Sequence, residues 1–217
     1  VTPLHLAEAL LNHISPECER IEIAGSIRRG KPDPKDIELV AIPRFVTTPI
    51  FDLFQGEAGQ QINNLLEIAI ADLLEKGEWE FDPDVRRNGE KYKRLRHRTE
   101  RNSTNQLIAC DLFIVTPPTW GIQFTIRTGP GSFSQTLVTR ALHLGMFIDG
   151  GLLHNHRREY KTDPHTAQKI SMPCSRGDHC PLIIPTPEEQ GFFTALGLPF
   201  IPPPERTIEQ LKLCPPR

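Results

Sequence analysis

The sequence contains no apolar run approaching the ~20 residues that a membrane-spanning helix requires. It opens on Val1-Thr2-Pro3 without a basic-then-apolar leader, so neither export nor membrane attachment is expected. Cysteine is scarce and odd in number, with Cys18, Cys110, Cys174, Cys180 and Cys214 widely spread. That pattern argues against a disulfide scaffold and for a reduced, cytoplasmic compartment. No internal repeat is found, which excludes solenoid and propeller architectures. Nor is there a global excess of charge: the net value is −2, that of an ordinary globular chain rather than a basic nucleic-acid coat. Proline, at 21 residues, is plentiful, but it gathers in loops and in the last third. A chain of 217 residues can bury one good core or two small ones.

Two helix signals are clear. Leu4 to Ile14 carries apolar residues at helical spacing and is closed by Ser15-Pro16. Gln60 to Lys76 places residues 62, 65, 66, 69, 70, 73 and 74 on one stripe, and Gly77 stops it. Further helices are expected at 133–144, before Gly145, and at 187–196, capped by Thr186 and ended by Gly197. Strands are expected at 21–24, 36–42, 106–115 and 146–153, with a basic-faced strand near 91–98. Residues 43–59 read as a connection and 154–181 as an irregular polar region. Helices and strands mixed in this order predict an α/β or α+β chain with a mixed sheet.

One stretch carries chemistry. Ile21 to Ala24 runs into the turn Gly25-Ser26, Arg28 and Arg29 follow, and Asp36 and Glu38 then interrupt an apolar run. Side chains at i and i+2 on a strand share a face, so these two carboxylates lie side by side. Adjacent carboxylates repel unless a cation joins them, and oxygen donors suit Mg²⁺ or Mn²⁺. The Gly-Ser turn offers amides and a hydroxyl to phosphate, and the arginines offer charge. Asp111 sits within the apolar run 106–115, where a lone carboxylate needs a partner. A structural ion pair would satisfy it; beside Asp36 and Glu38, a third ligand for two divalent ions is the stronger reading.

Residues 86–101 hold eight Lys or Arg against two acids, a local charge of +6 in a chain of −2. A solvated strand would explain that, as would a nucleic-acid footprint. His154, His156, His165, Cys174, His179 and Cys180 crowd into 27 positions. The Cys-x5-Cys spacing departs from familiar zinc patterns, so a polar surface loop is preferred over a structural Zn²⁺ site.

Gly25-Ser26-Ile27-Arg28-Arg29-Gly30 with Asp36-Ile37-Glu38, then Asp111-Leu112-Phe113, Thr128-Gly129 before Phe133, and Leu196-Gly197-Leu198-Pro199-Phe200 with Glu205-Arg206 resemble, in order, the signatures of the family X DNA polymerases within the nucleotidyltransferase fold. The resemblance covers roughly residues 20–213. It implies a palm (1–116) and a C-terminal α+β thumb subdomain (117–217). It implies that Asp36, Glu38 and Asp111 bind two Mg²⁺ or Mn²⁺ ions, with Asp111 nearest the primer 3′-hydroxyl. Gly25, Ser26, Arg29, Thr128, Gly129 and Ser134 match nucleotide contacts, and Lys35 stands where relatives place a small residue against the terminal phosphate. The implied partners are DNA and a deoxynucleoside triphosphate, for a monomer that fills short gaps in repair.

Several positions depart from the family. Glu38 replaces an aspartate, and Ile126-Arg127 replaces an aromatic pair, which predicts weakened sugar discrimination. Ala109 stands where relatives carry an arginine two residues before the third acid. About twenty residues precede the signature, too few for a lyase domain or helix-hairpin-helix clamps, so grip on DNA is assigned to Lys91, Lys93, Arg94, Arg96 and Arg98. Rival readings are nucleotide transfer to RNA or a small molecule, a non-catalytic nucleic-acid-binding module, or a toxin–antitoxin-type interaction protein.

Overall fold

A computed structural model describes residues 2–52, 56–101 and 104–213. The protein is mixed α+β and divides into two compact units, Val1–Ile27 with Lys31–Val115, and Arg28–Gly30 with Thr116–Arg217. Among the described residues, no helix is long and apolar enough to cross a membrane.

In the first unit, helix α1 (Pro3–Ile14) is capped by the Thr2 side chain, with Pro3 at its start. Leu6, Ala7, Leu10 and Ile14 form its buried stripe. Strand β1 (Cys18–Ile23) leads into a helical turn, α2 (Gly25–Arg28), and then β2 (Ile37–Pro43). A two-stranded ribbon follows, β3 (Phe45–Asp52) paired antiparallel with β4 (Gly56–Asn64). This corrects two expectations: 43–59 is not a plain connection, and the next helix, α3 (Leu65–Glu75), begins five residues later than Gln60. The reason is the polar Gln60-Gln61-Ile62-Asn63-Asn64 run. Asn64 bonds the Leu66 amide and caps the helix, which leaves Ile62 on the ribbon, exposed to solvent.

Strands β5 (Trp79–Phe81), β6 (Tyr92–Arg101) and β7 (Thr104–Ile114) complete a five-stranded sheet in the order β1-β2-β7-β6-β5. β2 and β7 run parallel; the other neighbours are antiparallel. Ile37, Leu39 and Ala41 of β2 and Ile108, Cys110 and Leu112 of β7 join α1 and α3 in one core. Glu38 and Asp111, one residue out of phase with those, therefore face away from the helices. Burial raises the Cys110 thiol well above its usual range, and the charges of Asp111, Asp36 and Glu38 add to it.

The second unit holds α4 (Trp120–Thr128), a stretch to which the sequence reading assigned no element, and α5 (Gly131–His143). The hairpin β8 (Phe147–Asp149) and β9 (Leu152–His154) turns at Gly150-Gly151, both at positive φ. A second hairpin, β10 (Tyr160–Thr162) with β11 (Lys169–Ser171), lies within the segment expected to be irregular. β12 (Ile183–Ile184) returns to pair with β9. Helix α6 (Glu189–Ala195) has Glu188 at its cap position and gains no side-chain cap from Thr186, whose carbonyl instead accepts from the Gly121 amide. A final short helix, α7 (Ile208–Lys212), packs Leu211 into a core with Phe133, Leu137, Leu153, Phe192, Leu196 and Leu198.

Candidate active site

Glu38 of β2 stands in register with Asp111 of β7, on adjacent parallel strands. Asp36 immediately precedes β2, two residues before Glu38, so the three acids share the sheet face that the helices leave open. Gly25 closes against them. Its φ is +62°, and a β-carbon there would lie 1.8 Å from Glu38 Oε2. The backbone can approach that carboxylate only because glycine occupies the position. The Ala24 amide donates to the Glu38 carbonyl at 2.8 Å, which ties the turn to the strand. Next in the turn, Ser26 Oγ is buried without a hydrogen-bond partner, an arrangement that favours a ligand oxygen beside it.

Asp111 is held by two residues of β6. The Tyr92 hydroxyl donates to Oδ1, and Arg94 Nη1 reaches Oδ1 at 3.0 Å and Oδ2 at 3.2 Å. Arg94 is the register partner of Asp111 and so projects from the same face. A guanidinium thus reaches Asp111 from the neighbouring strand, while position 109 on its own strand is alanine. Sequence reading missed this, because strand register is not written in spacing along the chain. Burial, then the bond to Asp111, raises the Tyr92 hydroxyl, so it remains a proton donor at neutral pH.

The basic run lies largely on β6 and meets acids of its own unit. Asp82 is buried in its midst, with Arg96 Nη2 at 2.8 Å, Arg94 Nε at 3.5 Å and Arg87 Nη1 at 3.6 Å. The Asp84 amide lowers the Asp82 carboxyl; burial opposes this, and Arg96 and Arg87 lower it further. Lys93 is buried and lies 3.0 Å from Glu67. Lys93, Arg94 and Arg96 therefore pair with the unit's own carboxylates. Lys91 and Arg98 are exposed, as is Lys35.

In the second unit, Thr128 is buried and its hydroxyl accepts from Arg28 Nη1 at 2.8 Å, while Arg29 donates to its carbonyl. Ser134 is also buried, its hydroxyl donating to the Ile126 carbonyl at 2.8 Å next to Gly129. These side chains are engaged in packing α4 and α5 together. Arg28 further forms a two-pronged bond with Glu189 (2.9 and 2.7 Å), which Arg206 meets from the other side at 2.9 Å.

Among the described residues, the side chains whose ligand atoms already converge on one point are His154, His156, Cys174 and Cys180. The three acids do not form such a group as they stand, because Asp111 turns to Arg94 and Tyr92 and Glu38 lies over Gly25. Their donor chemistry and shared face nevertheless fit a hard divalent cation. His165 and His179 are exposed, as a surface loop would have them, whereas His154 and Cys180 are buried, which it would not. No family model matches the chain, and no curated protein matches it.

Proposed function

We propose that the first unit catalyses metal-dependent nucleotidyl transfer, adding deoxynucleotides to a DNA 3′ end as a family X-type polymerase. The observation that carries this reading is the register of Glu38 with Asp111 on the sheet face opposite α1 and α3, beside the Gly25-Ser26 turn, with Asp36 two residues before Glu38. Asp36, Glu38 and Asp111 would hold Mg²⁺ or Mn²⁺. Two such ions, when bound, neutralise the charge that builds up on the transferring phosphoryl group. The Ser26 hydroxyl and the amides of its turn receive phosphate oxygens. Tyr92 and Arg94 orient Asp111, which accepts the proton of the attacking 3′-hydroxyl. The oxygen forms its bond to the α-phosphorus, the α–β bond breaks, and pyrophosphate leaves.

A primer-extension assay on gapped, recessed and single-stranded DNA with Mg²⁺ or Mn²⁺ tests this. Wild type should extend, and Asp111→Asn and Asp36→Asn should each lose about 10³-fold, the equivalent of several kcal/mol of lost charge stabilisation. Extension that persists in both variants, or none by wild type on any DNA, overturns it. A second reading draws support from the internal pairing of Lys93, Arg94 and Arg96, which leaves less free charge for a duplex: the acceptor is RNA or a small molecule. Transfer of labelled nucleotide to RNA, with none to DNA, would decide for it.

A further inference from the structure

Strand β9 ends at His154, which sits opposite both Phe147 of β8 and Ile183 of β12. From there the chain leaves the sheet at Asn155, whose amide bonds the Leu182 carbonyl at 2.7 Å, and returns only at β12. His156 lies just beyond the exit point. Cys174 and Cys180 flank a tight turn near the return, with the Gly177 amide on the Cys174 carbonyl at 3.0 Å. The three-stranded sheet and this turn bring four potential ligands together from both ends of the excursion. Their ligand atoms all lie within 4.8 Å of one another.

The distances match a coordination shell. His156 Nε2 is 3.6 Å from Cys174 Sγ and 3.7 Å from Cys180 Sγ. Around a tetrahedral zinc, bonds of ~2.3 Å to sulfur and ~2.0–2.1 Å to nitrogen place neighbouring S and N atoms ~3.6 Å apart. His156 Nδ1 lies 3.1 Å from the Arg157 carbonyl, which anchors one edge of the ring and leaves Nε2 directed at both sulfurs. His154 is 1 % exposed, and its Nδ1 is buried with no partner. Four ligand atoms this close together, one of them buried without a hydrogen-bond partner, are satisfied by a cation between them.

Surrounding groups hold the cage in shape. Phe147, itself buried, stacks on His154 and meets His156 edge-on, with centroids 5.0 Å away in each case. Asp149 Oδ2 accepts from the Cys174 amide at 2.8 Å, and Arg158 lies over the Phe147 ring while donating to the Ile148 carbonyl. Outer partners of this kind fix ligand orientation.

The geometry points to a closed, four-coordinate structural Zn²⁺ site formed by His154, His156, Cys174 and Cys180, which pins the excursion 155–182 to the sheet. Two sulfurs with two imidazoles select zinc by softness and shape. Zn²⁺ binds two neutral imidazoles and displaces two thiol protons, so two H⁺ leave and the site carries no net charge. The site does not depend on the nucleotidyl-transfer reading.

Metal content of the full chain purified under reductant, followed by titration of the stripped chain with Co²⁺ and then Zn²⁺, tests the assignment. One zinc per chain is expected. Bound Co²⁺ should give sulfur-to-metal charge transfer with intense tetrahedral bands that zinc abolishes. Cys174→Ser and His156→Gln should each weaken binding at least about 100-fold, while His165→Ala and His179→Ala leave it unchanged. Because wild-type cobalt spectra are read directly, misfolding of a variant does not obscure the answer. Absence of zinc after refolding in its presence, iron or copper in its place, a Cys174–Cys180 disulfide, octahedral cobalt spectra, or equal loss in the exposed-histidine variants would each overturn it.

Discussion

At Gly25 the backbone takes φ +62°, and the space where a β-carbon would stand is filled by the Glu38 carboxylate. Gly25→Ala therefore imposes both a disfavoured conformation and a displaced carboxylate. It should cost about 1–3 kcal/mol in urea unfolding and reduce the proposed nucleotidyl transfer. An unchanged midpoint would show that the turn relaxes freely. Asp111 teaches a related point. Its neighbours along the chain are apolar, yet its carboxylate meets Tyr92 and Arg94 from the next strand. A residue can thus keep a guanidinium beside it without encoding one nearby in sequence.

Elements explain why the second unit tolerates buried charge. Glu189 opens α6 beneath Arg28, and Arg206, near the end of the Leu-Gly-Leu-Pro segment, reaches back to it and to the Ile201 carbonyl. Phe193 and Phe200 flank the Arg206 guanidinium at 5.4 and 5.7 Å. Burial would raise the Glu189 carboxyl, but bonds from Arg28 and Arg206 hold it below its usual value. A depressed carboxyl contributes stability above its unfolded pKa and loses it as pH falls through the folded value. Glu189→Gln leaves two guanidiniums without their counter-charge and should destabilise by about 3 kcal/mol at neutral pH. The gap to wild type should shrink below about pH 4, and a gap independent of pH would refute the charged-pair account.

Taken over the whole molecule, the charge pattern is less polarised than the sequence implies. The basic run is threaded by Asp82, Asp84, Glu67 and Asp111, so part of its +6 is consumed internally. Under the proposed function, DNA binding should accordingly draw on the exposed Lys91 and Arg98. Replacing either by alanine is expected to flatten the log–log salt dependence of DNA affinity by ~0.9 per lost contact without altering stability. Lys93→Ala and Arg96→Ala should instead lower the unfolding midpoint, since one removes a buried cation paired with Glu67 and the other the nearest of the arginines around the buried Asp82. Salt-dependence measurements that rank the four residues in the opposite order would return the run to the role of a DNA surface.

The sequence alone determined the mixed α+β character, the strands that bear Glu38 and Asp111, and the helix stripe of α3, because periodicity and turn residues act locally. Tertiary structure decided the rest. Which strand neighbours Asp111, which arginines are spent on Asp82, and that His154 and His156 meet Cys174 and Cys180 across an 18-residue gap all depend on pairings between distant segments. Those pairings follow from burying two separate cores, a condition no local stretch of chain expresses.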